Sequence, residues 1–210
     1  MIFYDYYADV PAQTLDAFVR GCELGRLVSI SPEGSPHIGL YPFVYDGGII
    51  EMHFHRADEQ FADLKSRARC LFEIDEVLGT IPSYWIHPED AVKATAYHRT
   101  VIFECEAVLS QDPAELAAQQ TRLLARYQPE GGFSPVKPQD ALYRIAIQHI
   151  VSVRLEIKAR RVKFKLAQNR PIEVRRGIAT ALRERGRPMD NRAADAVQWT
   201  IDHETQKPAN

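Results

Sequence analysis

Glu51, His53 and His55 alternate along the run EMHFHRADEQF. In a strand, that spacing sends all three to one face and Ile50, Met52 and Phe54 to the other. Two imidazoles at i and i+2 beside a carboxylate are one way to hold a metal ion. A second chemistry starts from Arg56, because a strand that ends in basic residues and runs into a helix start makes an anion site. The third reading is plainer: a half-solvated strand end whose histidines face water.

Other chemistry is sparse. The loop GTIPSYWIHPED sets Tyr84 and Trp85 beside Pro82 and Ser83. Aromatics there either stack on a flat heterocycle or plug a core or an interface. The serines are scattered, and neither GxGxxG, the phosphate-binding loop nor GxSxG occurs, so the common nucleotide and hydrolase motifs are missing. No catalytic residue is assigned. Cys22, Cys70 and Cys105 are far apart, each in an apolar stretch, and none forms a CxxC. That pattern predicts buried thiols in a reducing, cytoplasmic setting.

A basic block stands out in a chain of net charge -2. Twelve Lys and Arg against three Asp and Glu fall between Lys158 and Arg192. Such a block either faces an anion or is a solvated helix face. Arg175, Arg176, Arg183 and Arg185 share its last helix, and helical arginines can track a phosphate backbone. DNA is therefore a candidate partner, although no helix-turn-helix or zinc-finger spacing supports base readout.

The elements that must carry these residues are legible from periodicity. Leu15, Phe18, Val19 and Cys22 form one stripe of a helix that Gly25 is placed to end. GRLVSISPEGSPHIGLYPFVYDGGIIEMHFH reads as three strands with turns at SPEGSP and DGG. A short helix over DEQFADLKSRA and strands over RCLFEIDEVLGTI and RTVIFECEAVLS follow. Asp112, Pro113 and Glu115 then start a helix. DALYRIAIQHI reads as helical, and VSVRLEIKARRVKFKLAQ as a long strand with Phe164 and Leu166 inward and Lys163 and Lys165 outward. Pro171 opens an amphipathic helix that Gly186 ends, and NRAADAVQWTIDHETQ predicts one more. Strands and helices do not alternate, which argues against a Rossmann sheet. About six antiparallel strands would close most economically into a barrel.

The totals agree with a folded protein. The chain has 210 residues, 45% apolar and 26% charged, ordinary for a soluble domain. No apolar run approaches the ~18 residues of a membrane span. The start, MIFYDYYADV, lacks the basic and apolar regions of a secretory signal. The polar end, ETQKPAN, is expected to fray.

The run Lys163-Phe164-Lys165-Leu166-Ala167-Gln168-Asn169-Arg170-Pro171, with the helix after it, resembles the C-terminal signature of the PaiB-type FMN-binding proteins, often called FMN-binding negative transcriptional regulators. Three more stretches are similar to that family in the same order: GRLVSISPEGSPHIGLYPFVYD, HRADEQF and IPSYW. Two stretches depart. Asp58 and Glu59 replace an Asn-Pro pair, and Thr95-Ala96-Tyr97-His98 keeps only the threonine of T-W-N-Y. The resemblance runs from about Pro11 to Gly186. It implies an α+β protein, an antiparallel split β-barrel with peripheral helices and a C-terminal helical segment. The domain would span residues 1–186, with a helical tail over 187–210.

The resemblance also implies a homodimer with FMN as cofactor and a role in transcriptional repression. It places the FMN phosphate near His55, Arg56 and Gln60, and the isoalloxazine along the backbone from Leu40 through Tyr41 to Pro42. Ser83, Tyr84 and Thr95 are further candidates. Gln168, Asn169 and Arg170 of the second subunit would cover the cofactor or brace the interface. Two other readings stay open at this point: a DNA-binding regulator that has lost its flavin, and a haem- or metal-handling split barrel using His53 and His55.

Overall fold

Residues 1–205 are described by the computed structural model, and their strands follow the alternation of the sequence. Seven strands form: β1 Leu24–Ile30, β2 Pro36–Pro42, β3 Val44–Tyr45, β4 Ile49–His55, β5 Arg69–Ile81, β6 Thr95–Ser110 and β7 Ile150–Lys165. They hydrogen-bond in the order β2-β1-β5-β6-β7-β4-β3. Among the described residues no ladder joins β2 to β3, so the sheet is a split barrel and not a closed one. Among the described residues seven α-helices accompany it: α1 Asp5–Ala8, α2 Ala12–Gly21, α3 Glu59–Ser66, α4 Pro113–Tyr127, α5 Arg144–His149, α6 Ile172–Arg185 and α7 Asp190–Thr205. None of the described helices is long and apolar enough to cross a membrane. The expected fraying of the polar end lies, from residue 206 onward, outside the described residues.

The chain divides into two compact units. A sheet unit comprises Ala12–Ile74 and Ile102–Arg160. A helix unit comprises Met1–Pro11, Asp75–Val101 and the chain from Arg161 on. Strands β5, β6 and β7 contribute residues to both.

In the sheet unit, β1 and β2 form a hairpin registered from Leu24↔Pro42 to Ile30↔Pro36. The β4–β7 ladder runs from Ile49↔Glu156 to His55↔Ile150. The inward positions Leu27, Ile50, Met52, Phe72, Ile74 and Phe103 are fully buried. Each such side chain contributes about 1.5–3 kcal/mol of burial free energy. Leu116 and Ala117 of α4 pack on Ile147 of α5. Asp112 caps α4, accepting from the Ala114 and Glu115 amides at 2.9 and 2.8 Å.

Two local expectations are corrected here. Helix α2 ends at Gly21, and Gly25 lies in β1, where a Cβ would collide with the Phe72 ring. That glycine serves close packing and not a helix end. The stretch read as three strands holds four, because the chain breaks at Phe43. The Tyr127 hydroxyl takes the Phe43 amide at 2.9 Å and lies 2.8 Å from its carbonyl, which removes that residue from the ladder.

In the helix unit, α6 packs on α7. Ile178, Ala179 and Leu182 are buried on α6, and Ala193, Ala194, Val197 and Ile201 on α7. The alanines let the two helices approach closely. Gly186 ends α6 at φ 66°, the left-handed conformation that glycine adopts without strain. Arg185 then grips Asp190 with two nitrogens, at 2.8 and 2.5 Å, across the turn into α7.

Candidate functional site

Strand β4 carries Glu51, His53 and His55 on one face as the alternation requires, with Ile50, Met52 and Phe54 buried on the other. The three are not free to share a metal. Glu51 accepts both Arg122 Nε at 2.6 Å and Arg122 Nη2 at 2.8 Å. His53 Nδ1 is buried without a partner, and burial holds its pKa below the ordinary value. His55 Nδ1 accepts the Ala57 amide at 3.0 Å, and its ring stacks on His149. Among the described residues no group of three His, Cys, Asp or Glu is arranged to hold a metal.

The anion reading fares differently at each residue. His55 is exposed at the end of β4. The Arg56 amide donates to His149 O at 2.8 Å, and its side chain reaches Ile150 O at 3.3 Å, so the next strand fixes this basic corner. Gln60 is instead buried, only 1% exposed. Its amide nitrogen donates to Leu27 O at 3.0 Å and Ser29 Oγ at 2.9 Å. It braces β1 rather than presenting itself to a phosphate. Asp58 caps α3, accepting the Gln60 amide at 3.0 Å. The helix start is thus already filled by the chain's own carboxylate, and any phosphate contact here falls to His55 and Arg56.

Strand β2 supplies a flat apolar surface. It ends the strand order, so one backbone edge has no strand partner among the described residues. Ile38 and Leu40 stand 67% and 54% exposed on it. Tyr41 faces the other way, and its hydroxyl meets Asp58 and Gln60. Burial, then the hydrogen bond to Asp58, pushes its pKa well above the usual phenol value. Pro42 closes the strand at Leu24↔Pro42.

The remaining predicted residues lie in the helix unit. Ser83 opens a short 3-10 turn, Ser83–Trp85, and its carbonyl accepts the Ile86 and His87 amides. Tyr84 is 67% exposed beside a cleft of about 460 Å³ that Thr95, Arg185 and Arg187 also line. Gln168 folds back on its own turn: its oxygen accepts the Leu166 amide at 2.8 Å and its nitrogen donates to Phe164 O. Thr95, Asn169 and Arg170 line a second cavity, of about 200 Å³, with Lys93, Tyr97 and Lys165. Sequence reasoning did not select the last three. Lys165 keeps the outward position that alternation gives it but is part-buried there, and its ammonium donates to Thr95 Oγ1 at 2.5 Å. Tyr97 was noticed only as a departure from a motif. Its buried hydroxyl has no hydrogen-bond partner among the described residues, and such a group costs about 1–3 kcal/mol.

The arginines of α6 do not form an open basic stripe. Arg175 is 1% exposed and pairs with Glu204. Arg176 pairs with Glu173 at 2.7 Å, Arg183 with Asp195 at 2.9 Å and Arg185 with Asp190 at 2.5 Å. Each charge is met by a carboxylate of the same unit.

Residues 1–159 match the family described as "Putative FMN-binding domain". The chain belongs to this family. Its cofactor is FMN, and the match stops short of the Lys163–Pro171 run. Solved structures show the same fold at low identity. The flavocytochrome Anf3 from Azotobacter vinelandii has a TM-score of 0.64 and 18% identity, over 78% of this chain and 72% of its own. The FAD and heme binding protein from Mycobacterium smegmatis has a TM-score of 0.58 and 12% identity, over 73% of this chain and 70% of its own. A conserved hypothetical protein from Mycobacterium tuberculosis has a TM-score of 0.57 and 19% identity, over 81% of this chain and 94% of its own. A search of curated proteins finds no match.

The residues in the sheet unit suit the cofactor. Ile38 and Leu40 offer apolar area to a planar ring, and the unpaired β2 edge offers backbone hydrogen bonds to its polar rim. Arg56 and His55 are the side chains at this corner that would donate to a phosphate.

Proposed function

We propose that this protein is an FMN-dependent homodimer of the PaiB regulatory type that holds FMN along β2 and at the His55–Arg56 end of β4. The observation that carries the reading is the exposed Ile38–Leu40 pair on a strand with an open edge, in a family of FMN-binding domains. An apolar strand edge of this kind is a liability unless something covers it. A flavin and a second copy of the chain together would do so. The PaiB assignment is supported by the Lys163–Pro171 run. The carboxylate partners of the α6 arginines weigh against that helix gripping a DNA backbone, so regulation is assigned to the flavin site and not to α6.

Bound FMN would supply electron-transfer chemistry. The chain's part is to orient it: Arg56 anchors one end through charge, β2 fixes the ring plane by apolar contact, and the β2 backbone sets the polar environment of the ring edge.

The test is a spectrum of the purified protein, followed by titration with FMN and riboflavin and by sedimentation. The reading expects a flavin band or saturable FMN uptake, weaker riboflavin binding and a dimer. A colourless protein that takes up neither flavin ends it. A flavin-loaded monomer keeps the cofactor and removes the homodimer.

A further inference from the structure

The helix unit contains a cationic cavity, and three of the residues that line it, Thr95, Asn169 and Arg170, are ones that the family resemblance would lend to the cofactor. About 200 Å³ of space is lined by Lys93, Thr95, Tyr97, Lys165, Asn169 and Arg170, among others. Among the described residues no carboxylate lines it. Lys93 pairs with Asp90 at 3.0 Å. Among the described residues no acid pairs with Lys165 or Arg170. Burial, together with the neighbouring Lys163, holds the Lys165 pKa below the ordinary lysine value, which is the mark of a cation short of counter-charge. Tyr97 is 2% exposed, and its buried hydroxyl has no partner among the described residues. The pieces are held in place beforehand. Ala167 takes the left-handed conformation at φ 71°, Gln168 ties the turn to Phe164 and Leu166, and the Arg170 amide closes it on Ala167 O at 2.8 Å.

This donor set has one chemical reading. A guanidinium, a part-buried ammonium, a side-chain amide and a spare phenol all offer hydrogen, and charge-assisted bonds to an oxyanion are the strong ones. The volume falls below the ~300–1,000 Å³ of sites that enclose drug-sized ligands. We propose that this cavity binds the phosphate or carboxylate group of a small ligand other than FMN. Its part-buried positive charge and orphan hydroxyl would then be satisfied only when that anion is present.

The experiment titrates the protein as purified with inorganic phosphate and, separately, with malonate, at ionic strength held constant with chloride. It follows the thermal midpoint and the visible flavin spectrum. A saturable rise in midpoint with one of the two anions, with no release of FMN, is expected. The Lys165→Gln/Arg170→Gln variant should weaken the response at least about tenfold, the equivalent of one charge-assisted bond, while keeping its far-UV circular dichroism. Tyr97→Phe should weaken it too. If the double variant does not fold, Arg170→Gln alone makes the same comparison. The proposal is overturned if neither anion exceeds the chloride control, or if the variants respond as the wild type does. It is also overturned if phosphate displaces FMN or the variants lose FMN, because the cavity then belongs to the cofactor's own phosphate. A protein that carries no flavin leaves the test intact, since the midpoint is read without it.

Discussion

The Tyr41 hydroxyl lies 2.7 Å from the Gln60 amide oxygen and 2.9 Å from Asp58 Oδ2, so one phenolic proton serves two acceptors. This contact ties β2 to the start of α3. It also explains why Gln60 is a brace: its oxygen meets Tyr41, and its nitrogen meets Leu27 and Ser29.

Replacing Gln60 by alanine removes the side-chain donor to the Leu27 carbonyl and one acceptor of the Tyr41 hydroxyl, and leaves a cavity in the sheet unit. Each buried polar group left unpaired costs about 1–3 kcal/mol. Gln60→Ala should therefore lower the urea midpoint clearly, and Tyr41→Phe should lower it less, since Asp58 keeps its capping bond. Equal, negligible effects in both would show that the network does not brace β2.

Gly39 leaves no room for a side chain on β2. A Cβ there would collide with Gln60 Oε1 and with the Tyr41 ring. Gly39→Ala should destabilise by about 1–3 kcal/mol, the usual cost of overpacking, and should weaken FMN retention by moving the strand. Unchanged stability by urea melting would mean that Tyr41 and Gln60 give way freely.

His37 carries a pH dependence. Its Nδ1 lies 2.8 Å from Asp63 Oδ2, and that hydrogen bond raises its pKa above the ordinary ~6.5, with Glu59 and Glu33 adding smaller attractions. A raised folded pKa gives stability that is fully present below about pH 6.5 and is lost as pH climbs through the folded value. The stability advantage of wild type over His37→Gln should thus shrink between pH 6 and pH 9. An advantage that stays constant or grows would contradict the bond.

Cys70 and Cys105 should be chemically silent. Burial pushes both thiols up to about 12, and only the thiolate reacts. Iodoacetamide at pH 8 should leave both unmodified in the folded protein and label both after denaturation, as read by mass spectrometry. Labelling of Cys70 faster than global unfolding would show that this part of β5 opens locally.

What the sequence disclosed, and what it withheld, has a physical pattern. Alternation located β4 and β7 because period-two burial is written into Ile50, Met52, Phe54, Val151, Val153 and Leu155. Asp112 and Gly186 marked helix ends because capping is local chemistry. Gly25 misled, since a glycine between a helix and a strand looks the same whether it ends the one or makes room in the other, and the Phe72 ring that decides comes from elsewhere in the chain. Gln60 was expected at the phosphate because its position in a motif gives residue type but not direction. The cavity around Lys165 stayed hidden for a related reason: β7 shows a lysine on its polar face, and the loop and strand that half-bury it come from distant residues. Tyr97 shows in the sequence only as a departure from a motif, because a missing hydrogen bond exists only in three dimensions.

The central claim is that FMN is held at the β2 face and the His55–Arg56 corner. The most direct test is equilibrium titration of FMN, by quenching of its fluorescence, against wild type, Arg56→Gln and Leu40→Asp. One FMN per chain should bind wild type, with affinity lowered about tenfold or more by Arg56→Gln, the equivalent of one charge-assisted bond, and lowered also by Leu40→Asp, which puts charge on the apolar strand face. FMN bound equally well by all three folded proteins would contradict the account.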